Sequence, residues 1–157
     1  MVFRLVGVED SKAPQLTIDP YVPLTVQWPR YSSELERPNS EVLANETVTV
    51  EIKTSALDGC LLEFILLDWH AKKDPSGELA GMAFEKGVPF LSNDPQVDGI
   101  LNVEPYVNGV TIRLLGEASA RRIGSHAAML DVSASGELVA LHVKFDDDES
   151  RSFYDQD

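Results

Sequence analysis

Thr47-Val48-Thr49-Val50-Glu51-Ile52-Lys53-Thr54 and, beyond the turn Leu57-Asp58-Gly59, Cys60-Leu61-Leu62-Glu63-Phe64-Ile65-Leu66-Leu67 decide the fold class. Successive side chains of an extended chain point to opposite faces. Val48, Val50 and Ile52 therefore share one side of the first stretch, with Thr49, Glu51 and Lys53 on the other. β-Branched residues suit a pleated, half-buried surface and strengthen the assignment. The second stretch is apolar at nearly every position, which predicts a central strand covered on both faces. A buried helix segment would be equally apolar, but the alternation before it and the turn between them favour a hairpin.

Working outward, Gly109-Val110-Thr111-Ile112-Arg113-Leu114-Leu115 alternates again behind an Asn108-Gly109 turn. Met129-Leu130-Asp131-Val132, the turn Ser133-Ala134-Ser135-Gly136, and Leu138 to Phe145 predict a second strong hairpin. The N-terminal run Val2 to Val8 predicts a first strand. It passes into Glu9-Asp10-Ser11-Lys12 without the small-residue pattern of a signal-peptide cleavage site. Ser76-Gly77-Glu78-Leu79 repeats as Ser135-Gly136-Glu137-Leu138, which reads as shared turn grammar leading into a strand each time.

Helical signals are few. Residues 116–124 could form two turns ending at Gly124, and Ser33-Glu34-Leu35-Glu36 has capping-box spacing that Pro38 cuts short. Residues 29–46 are polar and aperiodic and predict a long connection. The expected fold is mostly β, an antiparallel sandwich or curved sheet of about eight strands with one or two short helices. The alternative is an α+β arrangement with a helix over 117–123 packed on the sheet.

The 157 residues fit one domain, and 43% hydrophobic with 25% charged residues is a globular composition. The formal net charge is -13, and six acids stand against one arginine in residues 146–157, an acidic tail. Such a surface disfavours nucleic acid and anionic membranes, and it attracts a basic protein. No stretch approaches the roughly 18 apolar residues of a membrane span. Cys60, the one cysteine, has no disulfide partner, and its apolar surroundings predict a packed, inert thiol. A cytoplasmic location follows from that reading.

No phosphate-binding glycine loop, nucleophile elbow or paired-cysteine metal motif occurs in the sequence. His70, His126 and His142 show no ligand spacing, so neither a metal site nor a cofactor is expected. Asp68 and His70 lie two apart on a strand and share a face, and Glu104 adds a second carboxylate. These three are the first candidates for carboxylate chemistry, which needs two such groups about 5–10 Å apart across a cleft. Solvated acids on strand faces are the plainer explanation. Aromatic residues beside loops are common interface anchors. Tyr31 and Trp69 are therefore binding candidates, with Asp146, Asp147, Asp148 and Glu149 as the electrostatic contribution. Alternation groups Trp28 with Leu24 and Val26, in the core.

The hairpin from Asp131 to Phe145, with its Gly136-Glu137-Leu138 turn and the acids that come after it, resembles small bacterial immunity proteins of polymorphic toxin systems. The resemblance implies a cytoplasmic, β-rich inhibitor that occludes a toxin, and it carries no functional residue across. A carboxylate enzyme acting on a small or carbohydrate ligand, and an assembly module of a phage or secretion apparatus, are the alternatives.

Overall fold

A computed structural model describes residues 2–31, 37–70, 74–94 and 99–155. The strands are β1 (Val2–Glu9), β2 (Gln15–Thr17), β3 (Leu24–Gln27), β4 (Pro38–Ala44), β5 (Val48–Ser55), β6 (Leu61–Trp69) and β7 (Glu85–Lys86). They continue with β8 (Val88–Asp94), β9 (Asn102–Tyr106), β10 (Gly109–Arg113), β11 (Arg121–Gly124), β12 (Ala128–Val132) and β13 (Leu138–Lys144). A helix, α1 (Asp147–Tyr154), comes after them. The protein is a β sandwich. One sheet is five-stranded in the order β2-β3-β6-β5-β4, and the other six-stranded in the order β7-β11-β12-β13-β10-β9. All pairings are antiparallel except β7 with β11.

Both expected hairpins form. β5 alternates buried and half-buried positions, and β6 sits at the centre of its sheet. Val50, Ile52, Phe64 and Leu66 meet Val110, Ile112, Leu130, Leu141 and Val143 in one core, where Trp28 is also buried. Strands are more numerous than expected, because short edge pieces such as β2 and β7 carry almost no pattern of their own.

β1 and β8 form a separate antiparallel ribbon that touches both sheets. Leu5 N–H donates to Gly136 O at 2.7 Å, and Arg4 pairs with Glu137 at 3.1 Å. On the other side Leu91 N–H donates to Gly59 O at 2.8 Å. Gly59 has φ +78°, and a Cβ there would stand 2.2 Å from Leu91 O. Only glycine allows this strand so close to the β5–β6 turn.

Three expectations are corrected. Residues 38–44, expected in a polar connection, form β4, an edge strand whose outer positions face water and so carry no apolar alternation. Residues 117–123 hold no helix: bends lead into β11, where Arg122 and Ile123 are drawn into the sheet by pairing with Asp131 and Leu130. After Gly77 the chain does not enter a strand as it does after Gly136, although both glycines adopt positive φ, 72° and 85°. The Ser33–Glu36 capping signal lies outside the described residues.

The acidic tail is also more than a solvated run. Asp146 caps α1: its side chain accepts Glu149 N–H at 2.7 Å, and Glu149 Oε1 accepts Asp146 N–H at 3.0 Å. Asp147, Asp148 and Glu149 lie in the first turn, where the helix dipole favours negative charge. Phe153 is buried, with its ring 5.0 Å from that of Phe145 and 6.1 Å from that of Trp69. The Tyr154 hydroxyl donates to Gly109 O at 2.6 Å and accepts Tyr106 N–H at 3.1 Å, and burial pushes its pKa up to about 12. α1 therefore plugs one end of the sandwich.

Phe153→Ala should lower unfolding free energy by about 3–5 kcal/mol, the usual cost of deleting a buried ring. Asp146→Ala should cost about 1 kcal/mol through the lost cap. Urea denaturation monitored by fluorescence of Trp69, stacked on Phe153, checks both.

Candidate functional site

The residues singled out from the sequence are not assembled into one site. Asp68 and His70 pair at 2.8 Å on the surface beside β6, while Glu104 lies on β9 in the opposite sheet and grips Arg113 at 3.1 and 3.3 Å. Each acid is thus engaged with its own partner, and the two carboxylates stand in different sheets. Trp69 was expected to be exposed as an anchor. Its ring is instead 9% exposed and stacked on Phe153, because α1 folds back over it. Tyr31 is half-buried, with Lys53 Nζ 5.7 Å from its ring centre. Cys60 is buried, and burial pushes its thiol up, as expected of a packed side chain.

The sequence reading missed a row of polar residues across the outer face of the six-stranded sheet. Antiparallel register sets Thr111 opposite His142 and Arg122 opposite Asp131. His142 Nδ1 lies 2.7 Å from Thr111 Oγ1, and its Nε2 lies 2.7 Å from Asp131 Oδ2. Arg122 donates to both oxygens of Asp131, at 2.7 and 3.3 Å. An ionised carboxylate only accepts, so Nε2 carries the ring hydrogen facing Asp131. Burial raises the Asp131 pKa, but the hydrogen bonds from His142 and Arg122 outweigh it and hold the carboxyl below its ordinary 3.8.

Thr111, His142 and Asp131 show the hydroxyl, imidazole, carboxylate order of a hydrolytic triad. Thr111 is only 1% exposed, however, so its oxygen is closed to a substrate. The segment 77–84 begins on this side of the sheet, with buried Leu79 against Gly109. It is tied to the β9–β10 turn by Leu79 N–H to Asn108 Oδ1 at 2.6 Å and Asn108 Nδ2 to Leu79 O at 3.2 Å, and it ends where β7 joins β11. The row stitches four strands together.

An open cleft of about 410 Å³ lies between β4 and the β1–β8 ribbon. Phe3 and Leu91 are its buried apolar lining, and Asn39, Glu41, Ser92 and Asn93 supply polar groups. Asn93 Nδ2 donates to Glu41 Oε1 at 2.8 Å, linking the two strands. At the β5–β6 turn, Asp58 accepts from Arg30 at 2.8 Å and from Cys60 N–H at 3.1 Å, and the Arg30 bond first of all holds its pKa below 3.8. Leu57 and Val6 protrude beside these acids, 85% and 68% exposed. In the sequence Leu57 marks only a turn, and an apolar residue at a turn tip is the one signal of this surface.

Among the described residues no three of His, Cys, Asp and Glu converge on a metal position. No described helix is long and apolar enough to cross a membrane. No protein-family model matches the chain, and no curated protein matches its sequence.

The sign of the Asp131 effect is set by its lowered pKa. Its contribution to stability is complete above about 3.8 and is lost as pH falls through the lower folded-state value. Unfolding free energy measured from pH 7 to pH 2 should therefore fall at the acidic end. Asp131→Asn should be less stable at pH 7 and show a shallower loss below pH 4. Equal acid slopes in the two proteins would exclude this role for Asp131.

Proposed function

We propose that the chain is a cytoplasmic protein-binding inhibitor of the immunity type, which neutralises a basic protein, a toxin, by covering its surface. The observation that carries this reading is the cleft, where the protruding side chains Leu57 and Val6 stand beside Glu41 and Asp58 on a chain of net charge -13. Apolar anchors ringed by polar groups hold a complex, while a one-signed field accelerates encounter. β4 adds an edge strand beside the same cleft, whose outer side pairs with no strand among the described residues, and such an edge can take up a partner. Asp147 is exposed on α1 and extends the negative field, whereas Asp148, also exposed, pairs with Arg151, and Asp146 and Glu149 are engaged in the cap. Tyr31 and Trp69 are not part of this surface.

The test is capture from the native cytoplasm, identification of the captured protein, and surface plasmon resonance at two salt concentrations. Leu57→Ala should raise the dissociation rate about tenfold or more, the scale of a central anchor. Asp147→Asn with Asp148→Asn should slow association and flatten its salt dependence, with little change in dissociation. A partner that is not basic, or a Leu57→Ala complex that dissociates like the wild type, would count against the proposal.

A further inference from the structure

The cleft between β4 and the β1–β8 ribbon contains a hydroxyl that the fold leaves unused. On β5 the side chains of Val48, Val50, Ile52 and Thr54 share the inner side of the strand, and at Thr54 the core gives way to the cleft. Thr54 is 8% exposed, and its hydroxyl makes no hydrogen bond among the described residues. It is not sealed either, since the one fully enclosed side-chain oxygen without a partner among the described residues is Ser125 Oγ. The Thr54 hydroxyl therefore opens on the cleft that it lines. A buried polar group left unsatisfied carries a desolvation cost, so a ligand that supplies its partner binds favourably.

Charge narrows the ligand. Glu41 and Asp58 are the charged residues of the described lining, and no lysine or arginine is among it. Asp58 is neutralised by Arg30 at 2.8 Å, whereas Glu41 holds the neutral amide of Asn93 at 2.8 Å and no cation among the described residues. Register brings the acceptors together. Thr54 stands opposite Asn39, and Glu41 follows two residues along on the same side of β4. Such diagonal neighbours are about 7–8 Å apart, a gap that a group with donors on several sides can bridge. Phe3 and Leu91 form the apolar wall. A guanidinium spreads five donors over a planar fork and suits separated acceptors, whereas an ammonium directs three from a single point.

We propose that the cleft takes up the side chain of an arginine presented by the basic partner. Its guanidinium donates to the Glu41 carboxylate, the Thr54 hydroxyl and the Asn39 side-chain oxygen, and its methylene stem lies against Phe3 and Leu91. The choice of a guanidinium follows from the cleft's own groups. Its source, a bound protein, rests on the inhibitor reading.

The experiment is a titration of the full ¹⁵N-labelled chain with N-acetyl-arginine methylamide, and in parallel with its citrulline and lysine counterparts, monitored by amide chemical shifts. The arginine probe should give saturable shifts concentrated at residues 39–41, 54–59 and 91–93. Citrulline keeps the shape without the charge and should bind about tenfold more weakly or worse. Lysine should also bind more weakly than arginine. Glu41→Gln keeps an acceptor for Asn93 and should weaken the arginine probe about tenfold. Thr54→Val should leave the free protein as stable as before or more so, yet lower affinity for the probe. That combination separates a ligand-binding hydroxyl from a structural one. Absence of saturable shifts at these residues, equal binding of citrulline or lysine, or unchanged affinity in Glu41→Gln would each overturn the proposal. The titration contains no partner, so its outcome is separate from that of the inhibitor reading, which is tested by Leu57→Ala. In a captured complex Glu41→Gln should raise the dissociation rate, and an unchanged rate would overturn the partner as the source of the arginine.

Discussion

Burial of both faces of the six-stranded sheet is the constraint on which the rest of the structure depends. One face closes the core against the five-stranded sheet, and β12 and β13 are buried on the other as well, while the segment 77–84 runs from the β9–β10 turn to β11. No position of β12 is left to water, so every polar group buried on the outer face needs a partner inside the protein. Arg122, Asp131, His142 and Thr111 meet that demand by pairing with one another. The route of the segment 77–84 then directs the chain beyond it. It delivers β7 to β11 in parallel, and the next strand, β8, swings away to pair with β1. The resulting ribbon forms one side of the cleft facing β4.

A buried ionic row of this kind is weak evidence of high stability, because removing charges from water offsets much of their attraction. Its greater effect is on register. A one-residue slip between neighbouring strands turns every side chain to the other face. Here such a slip would place Asp131 or His142 in the apolar core and strand Arg122 without a carboxylate. The row therefore selects one alignment of β10, β13, β12 and β11, at places where Val, Leu and Ala alone would tolerate others.

The same physics governs how much of the fold was legible in the sequence. β5, β6, β12 and β13 were legible because their burial is continuous or strictly alternating, and Trp28 because it shares parity with Leu24 and Val26. β4 was not, since an edge strand with one solvated side needs no apolar period. α1 was hidden by its brevity, although Asp146 and Glu149 stood at capping-box spacing and Phe153 at a buried position. The cleft brings Phe3, Glu41, Asp58 and Leu91 together from four separate strands and turns, a meeting set by topology and by no local pattern. Trp69 was misplaced for a related reason: the helix that covers it begins far along the chain.

The ribbon has a kinetic consequence. Val2 pairs with Asp94 and Glu9 with Val88, so the first strand finds its neighbour only after most of the molecule has been passed. Contacts between residues so distant in sequence carry a large loop-closure cost and are formed late, and folds rich in them mature in milliseconds to seconds. Until β8 arrives, Phe3 and the apolar side of β1 have no cover, and the β5–β6 hairpin lacks the strand that seals its turn at Gly59. The chain therefore passes through an incompletely closed sandwich, and conditions that prolong that interval, such as crowded overexpression at elevated temperature, favour aggregation through the unpaired first strand.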